Sequence, residues 1–166
     1  MNRAASTGLA LAVAISVFLV DQGTKRLVEG SIRFGESIPV LPNVLYLTHT
    51  RNNGGAFGIL GGQSSLLMLG SAVAVAFVVW MLVQGSHKIA TTLGCGLVLG
   101  GAAGNLLDRL TTGDVTDFLD LEFWPLREWP VFNVADVAIV LGVTVLLLAS
   151  LRPEAGRRAA VGDQDS

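Results

Sequence analysis

Cysteine, histidine and lysine are scarce in this sequence. Among 166 residues there is one cysteine, Cys95, and the two histidines are His49 and His87. A single cysteine cannot form a disulfide within the chain, and one thiol with two separated histidines does not make a zinc site. The lysines, Lys25 and Lys88, form no evident Ser–Lys pair. Zinc, thiol and serine chemistry are therefore unsupported, and we expect no metal and no cofactor.

Charge is scarce as well. Only 14% of the residues are charged, and the formal net charge is −2. A protein without a basic excess is a poor candidate for binding nucleic acid, so we expect no such partner. The hydrophobic fraction is 51% and the mean hydropathy is +0.60, which is high for a soluble domain. These values favour a membrane protein.

The apolar residues are grouped into four long blocks with almost no charge. Each block has about the 17–25 residues that a helix needs to cross a bilayer, and none shows a polar face at helical period. The first block could instead be a signal peptide, but it lacks a clear small-x-small cleavage site and continues directly into a polar cluster. We therefore predict an all-α integral membrane protein with four transmembrane helices. The predicted spans are residues 4–25, 66–84, 89–109 and 131–151.

Two long loops and a tail complete the predicted single domain, residues 1–166. The first loop, residues 27–65, has strand character at Val44–Thr48, and its prolines restrict the preceding piece to an edge or a turn. It predicts a small β-sheet on the membrane surface. The second loop, residues 110–130, is acidic and carries two tryptophans, and the tail is residues 152–166.

Counting the spans places most polar residues on one face of the membrane. The ends of spans 1 and 3 and the start of span 4 must reach the same face, together with both long loops. The distribution of lysine and arginine favours, by a small margin, cytoplasmic termini and an outer loop face. The residues assigned to this face are Asp21, Lys25, Asn105, Asp108, Arg109, Asn133 and Asp136.

Asp117 and Asp136 are the candidate catalytic residues. Asp117 has an apolar setting for a loop acid, and Asp136 begins a span, where an acid is unfavourable. Two carboxylates close together in a low-dielectric site share one proton, so that one is a base and the other an acid. Such a pair can activate water against an amide. The alternative is that Asp136 is an ordinary interfacial acid.

Other polar residues also allow simpler interpretations. Asp21 and Lys25, at i and i+4, can pair, or can simply end a helix. The sequence Asn52-Asn53-Gly54-Gly55 suits a hairpin turn without any functional role. A polar helix cap explains Arg109, but it does not explain Asn105, because a nearly dry amide needs a partner.

Five motifs in order resemble those of the lipoprotein signal peptidase family, also called signal peptidase II. Each motif alone is weak, but five in sequence order, framed by four spans, are specific. They are Asp21-Gln-Gly-Thr-Lys25, Asn52-Asn-Gly54-Gly-Ala-Phe57, Gly101-Ala-Ala-Gly-Asn105-Leu-Leu-Asp108-Arg109, Val115-Thr-Asp117-Phe118 and Phe132-Asn133-Val-Ala135-Asp136.

The resemblance implies an aspartic endopeptidase that removes signal peptides from prolipoproteins, cleaving before a diacylglyceryl-modified cysteine. It implies a bacterial plasma-membrane protein, monomeric, in contact with membrane lipids, with an extracytoplasmic β cradle and a lid loop or helix. Asp117 and Asp136 correspond to the catalytic pair, and Asp21 and Lys25 to a structural pair. The residues that correspond to site-shaping or substrate-holding positions are Asn52, Gly54, Asn105, Asp108, Arg109, Asn133 and Ala135. Gly55 stands where the family usually has alanine, which puts the rigidity of the cradle in doubt.

Two other classes of protein fit parts of the pattern. A proton-coupled transporter would also have acids in its spans, but usually near the midplane and within internal repeats, which this sequence lacks. A membrane scaffold would explain the glycines of span 3 but not Asp117 together with Asp136. The Gly-x-Gly-Asp motif of another intramembrane peptidase type is not matched, because Thr-Thr-Gly precedes Asp114.

Overall fold

The computed structural model describes residues 2–53, 64–84 and 88–151. It is rich in helix and contains one small sheet. The elements in chain order are α1 (Arg3–Ser31), β1 (Ser37–Leu41), β2 (Leu45–Asn52), α2 (Ser64–Val83), α3 (Ile89–Thr111), β3 (Val115–Leu121) and α4 (Val134–Ser150).

Helix α3 lies at the centre and contacts the other three helices. Its glycines make the close approach to α1 possible. A Cβ on Gly96 would lie 2.7 Å from the carbonyl oxygen of Ala10, and one on Gly100 would lie 2.5 Å from that of Ala14. One turn further, a Cβ on Gly104 would collide with the carboxylate of Asp21. The small residues therefore bring α1 close enough for Asp21 to reach α3.

The outward surface of the helices is apolar. Ile15 of α1, Phe77 of α2 and Leu147 of α4 are each more than half exposed. Within the described residues, α1 and α3 are long and apolar enough to cross a bilayer, whereas α4 and the apolar part of α2 are shorter. The sequence predicted four spans, and two are supported by length and composition.

The sheet is antiparallel, with strand order β1-β2-β3. β1, which contains Pro39, lies at the edge, where proline is tolerated. A buried cluster fixes the sheet to the helices: Val28 of α1 and Ile32, the residue after its end, pack on Phe118 of β3. Leu119 also pairs with Phe132, just before α4. The sheet is therefore attached to both α1 and α4.

The helices and strands do not coincide with the predicted spans and loops. Helix α1 continues to Ser31, well beyond the predicted end at residue 25, because Asp21 and Lys25 pair on its buried side and Val28 packs on the sheet. The second loop, residues 110–130, corresponds by the family resemblance to a lid loop or helix. It contains strand β3, and the residues after the strand are mostly in turns. Helix α4 begins at Val134 rather than at residue 131, because Phe132 pairs with β3.

Some predictions fall outside the described residues. Gly54 and Gly55, with the rest of the predicted turn, belong to this group, as does the tail from residue 152 to 166. The site-shaping role of Gly54 and the effect of Gly55 therefore remain sequence-based predictions.

Candidate active site

Asp117 lies in the middle of β3 and is only 1% exposed. β3 is held on both sides near this residue. Thr50 of β2 is its partner across the sheet, and on the other side the backbone N–H of Phe118 donates to the carbonyl of Phe132. Asp117 therefore sits on an element whose position the sheet and the start of α4 determine together.

Two asparagine side chains donate to the carboxylate of Asp117. Asn133 Nδ2 donates to Oδ1 at 2.6 Å, and Asn52 Nδ2 donates to Oδ2 at 3.0 Å. Both contacts favour the ionised carboxylate. Burial acts in the opposite direction, and so does the neighbouring charge of Asp136. Burial, followed by the repulsion from Asp136, raises the pKa of Asp117 to about 7, against these two hydrogen bonds.

Asp136 is held at the beginning of α4 by a capping box. Asn133 is the N-cap residue, and its side-chain oxygen accepts from the Asp136 N–H at 3.0 Å. In return, Asp136 Oδ2 accepts from the Asn133 N–H at 3.2 Å. The other oxygen, Oδ1, accepts from Asn105 Nδ2 at 2.8 Å. The cap therefore fixes the orientation of Asp136 as well as the start of the helix.

Asn133 joins the two candidate catalytic residues. It is fully buried, its amide group donates to Asp117, and its amide oxygen caps the helix at Asp136. The sequence placed Asn133 and Asp136 at i and i+3 but gave no indication of the contact with Asp117. The structure brings all three side chains together.

A buried charged cluster lies beside this pair. Lys25 Nζ is 2.8 Å from Asp21 Oδ2 and 2.7 Å from Asp108 Oδ2, and it donates to Asn105 Oδ1 at 3.0 Å. The predicted Asp21–Lys25 pair is thus present, and Lys25 forms a second ion pair with Asp108. The cluster connects α1 to α3 through charges rather than through apolar contacts alone.

Asp21 also contacts the start of α4. Its Oδ1 accepts from the backbone N–H of Ala135 at 3.0 Å. Ala135 is fully buried, and a Cβ on Gly101 would lie 2.5 Å from its carbonyl oxygen. The lack of a side chain on Gly101 therefore lets α3 approach the start of α4 closely. Asp21 therefore helps to hold the turn that carries Asp136.

A cavity of about 600 Å³ opens beside the two aspartates. Its polar lining comes from several elements, with Ser71 on α2 and Arg109 on α3. Arg109 donates from Nη1 to the Asn105 carbonyl at 3.4 Å, and its Nε has no partner among the described residues. Most other lining side chains are apolar. The remaining polar ones are Asn52, Asn105, Asp117 and Asp136.

Two polar contacts near the site were missed by the sequence analysis. Gln22 Nε2 donates to Asp108 Oδ1 at 2.8 Å, and its place beside Asp21 in the polar cluster could have indicated this. Thr116 donates to Glu29 at 2.6 Å, next to Asp117. This second contact could not be expected, because Glu29 was assigned to a loop.

In this apolar helix bundle, two carboxyl groups accept hydrogen bonds from asparagine side chains and lie beside one cavity. This is the arrangement of a membrane aspartic peptidase. Comparison with known proteins agrees. The family model of signal peptidase (SPase) II matches residues 13–152. The chain therefore belongs to the signal peptidase II family.

Individual relatives are similar over most of their length. A lipoprotein signal peptidase of Halalkalibacterium halodurans is 43% identical over 143 residues, covering 86% of this chain and 91% of its own. One of Syntrophotalea carbinolica is 43% identical over 146 residues, covering 86% and 90%. A solved structure described as a bacterial membrane enzyme, obtained by the in meso method at 2.3 Å, matches with a TM-score of 0.82. It is 29% identical, and the match covers 91% of this chain and 92% of that one.

Proposed function

We propose that this protein cleaves the signal peptide from prolipoproteins, with Asp117 and Asp136 as the catalytic pair. The observation that carries the assignment is that Asn133 contacts both residues and that both face one cavity. The family relationship supports the activity. The two carboxyl groups would hold one proton between them, and burial favours that proton on Asp117.

The proposed reaction needs only water and this pair. The carboxylate without the proton removes a proton from a water molecule, whose oxygen attacks the carbonyl carbon of the scissile amide. The protonated carboxyl group stabilises the developing oxyanion by donating to it. The tetrahedral intermediate then collapses as the C–N bond breaks, and the amine nitrogen takes a proton from the pair. Both carboxyl groups return to their initial states.

Residues around the pair would position the substrate and the catalytic groups. Asn52, Asn105 and Asn133 donate to the two carboxylates. Arg109 lines the cavity, so its guanidinium group would be placed to bind a backbone carbonyl of the substrate. Asp108 and Ala135 shape the site through Lys25 and Asp21. By the family resemblance, Gly54 belongs to the same group.

We also propose that all four helices cross the membrane and that the whole chain, residues 1–166, forms one domain. The stretch of α1 from Arg3 to Asp21 is about 27 Å long at about 1.5 Å per residue, close to the roughly 30 Å of the hydrocarbon core. Asp21 would then lie near one membrane surface, and its contact with Ala135 puts Asp136 at the same level. This supports a site at one membrane surface. With both termini in the cytoplasm, as the distribution of lysine and arginine favours, that surface is the outer face. The sheet would form the cradle, and the turns after β3 the lid.

The depth of the site suggests how the substrate is recognised. A scissile bond at the membrane surface belongs to a peptide whose apolar segment is already in the bilayer. Each buried methylene of a lipid chain contributes about 0.8 kcal/mol, so two acyl chains on the next residue would hold the bond at this depth. We therefore propose diacylglyceryl-modified precursors as substrates, and a monomer in contact with lipids as the active form.

The test uses one precursor peptide, with and without diacylglyceryl on its cysteine. Both forms are assayed at equal concentration in the same detergent with the purified protein. We expect cleavage of the lipidated form and little cleavage of the unmodified one. Equal rates would show that the lipid is not recognised, and the assignment to prolipoproteins would fail even if an aspartic mechanism were present.

A further inference from the structure

The ammonium group of Lys25 is surrounded by oxygen atoms of the protein. Its side chain is 3% exposed, and an ammonium group has three N–H donors. The three acceptors within reach are Asp21 Oδ2 at 2.8 Å, Asp108 Oδ2 at 2.7 Å and Asn105 Oδ1 at 3.0 Å. Two of them belong to carboxylates, one more than the single positive charge of the lysine needs for neutrality. The third is the neutral amide of Asn105, and this contact is not needed to neutralise the charge of the lysine.

The contact with Lys25 determines which way the Asn105 amide points. Asn105 Oδ1 receives two donors, Lys25 Nζ at 3.0 Å and Asn133 Nδ2 at 3.2 Å. If the amide were reversed, its NH₂ group would face an ammonium and another NH₂, both of which are donors. The reversed orientation is therefore unfavourable, and Asn105 Nδ2 must point towards Asp136 Oδ1, 2.8 Å away.

We propose that Lys25 is a positioning residue for peptide-bond hydrolysis, acting through Asn105 to keep an N–H directed at Asp136. The proposal rests on the proposed function of Asp136 in catalysis. Lys25 itself does not line the cavity, so it does not touch the substrate there. Its positioning effect on Asp136 passes through a single intervening amide, that of Asn105.

The other contacts of Lys25 show why a purely structural role is the competing explanation. Asp108 Oδ1 also accepts from Gln22 at 2.8 Å, and Asp21 Oδ1 also accepts from the Ala135 N–H at 3.0 Å. Both carboxylates thus have further partners that join the helices. A structural lysine would alter the amount of folded protein, whereas a positioning lysine would alter the chemistry of the folded enzyme.

The charge of Lys25 also gives a measurable signature. The charged groups that act on Asp117 are Asp136 on α4, Lys25 on α1 and Arg109 on α3. Asp136 raises the pKa of Asp117, and Lys25 lowers it. Loss of the lysine should therefore move the alkaline limb of the pH–rate profile to higher pH. A change confined to the folded fraction would not move that limb.

The variants are made in an Asp108→Asn background, because Lys25→Met alone would leave two carboxylates, those of Asp21 and Asp108, without their cation. The background reduces this number to one. Asp108→Asn supplies the reference rate, and Lys25→Met/Asp108→Asn is compared with it on the lipidated precursor. We expect kcat at least about tenfold lower with little change in KM. The alkaline limb should move to higher pH.

A double-mutant cycle identifies the route of the effect. In the Asp108→Asn background, Lys25→Met is measured with Asn105 present and with Asn105→Ala. If Lys25 acts through Asn105, its replacement should lower kcat by no more than about twofold once the amide is gone. Equal fold-changes in both backgrounds, or a lower rate without a shift of the pH limb, would overturn the proposal.

A further variant tests the link without changing the lysine. Asn105→Asp keeps an acceptor for Lys25 but cannot donate to Asp136. We expect at least about a tenfold loss of kcat, and a wild-type rate and pH profile would contradict the proposal whether or not the Lys25→Met variants fold. Wild-type protein on the same precursor is the control. If it does not cleave, the proposed function fails; if it cleaves and the variants behave like their references, only the role of Lys25 fails.

Discussion

Asn133 donates a 2.6 Å hydrogen bond to the carboxylate of Asp117 while it caps the helix that carries Asp136. One side chain thus sets the relative position of two residues from different elements. The same contact connects the folding of α4 to the geometry of the candidate site. Helix capping and catalysis should therefore respond together when Asn133 is changed.

Asn133→Ala should lower both stability and activity. The loss of an N-cap side chain costs about 0.5–2 kcal/mol. The lost donor to Asp117 should reduce kcat by about tenfold to a hundredfold, as is typical of one hydrogen bond to a charged group. Thermal unfolding in detergent and steady-state cleavage measure the two effects.

The matched control for this prediction is Asn133→Ser. Serine is a good N-cap residue, but its hydroxyl is too short to reach Asp117 as the asparagine amide does. It should recover most of the stability and little of the activity. Recovery of both would show that Asn133 acts only as a helix cap.

Activity and stability should depend on pH through Asp117. Its pKa of about 7 lies above the ordinary value of 3.8, so the folded protein retains a proton that the unfolded chain has already lost. Cleavage should fall as pH rises through about 7, because the pair then loses its shared proton. Stability should also fall as pH rises from about 4 to about 7, and then level off.

Asp117→Asn tests the stability part, because an amide does not titrate. The variant should be more stable than wild type at about pH 8 and close to it at about pH 4. Thermal unfolding of both proteins across this range is the measurement. Parallel curves for the two proteins would rule out Asp117 as the titrating group.

The glycines of α3 should be sensitive to one added carbon. Gly100→Ala would place a Cβ 2.5 Å from the carbonyl oxygen of Ala14, so α1 and α3 would have to separate. We expect a clear loss of thermal stability. Gly8→Ala in α1 is the control, because a Cβ there meets nothing within 4 Å. If both substitutions have the same effect, helix propensity and not packing is responsible.

Chelators should not inhibit the enzyme. All four oxygens of Asp117 and Asp136 accept N–H groups, from Asn52, Asn105 and both the side chain and backbone of Asn133. A metal ion at the same oxygens would have to displace these donors. Serine- and cysteine-directed reagents should also have no effect, whereas globomycin-type peptides, which the family resemblance suggests, should block cleavage. A chelator that abolishes cleavage reversibly, with activity restored by a metal ion, would contradict the mechanism.

The sequence predicted the membrane character better than it predicted where the helices begin and end. Helix α1 was expected to end near residue 25, because polarity rises there. The charges are instead buried in pairs, and Val28 still packs on the sheet. Hydropathy alone cannot distinguish a helix that leaves the membrane from one whose polar residues find partners.

The contacts of the site depend on long-range pairing that sequence spacing does not contain. The spacing placed Asn133 and Asp136 together on one helix turn. It could not show that β3 pairs with β2 at Thr50, which brings Asp117 to Asn52. The sequence analysis treated residues 110–130 as a loop, whereas Val115–Leu121 form a strand whose first four residues are buried.

The most direct test of the account is the cleavage rate of Asp117→Asn and Asp136→Asn on a diacylglyceryl-modified precursor. Each substitution keeps the size of the side chain and removes its ability to exchange a proton. We expect each variant to lose at least about a thousandfold in rate while its thermal unfolding in detergent remains cooperative. A folded variant that retained more than about a tenth of the wild-type rate would remove that residue from the catalytic pair and contradict the proposed mechanism.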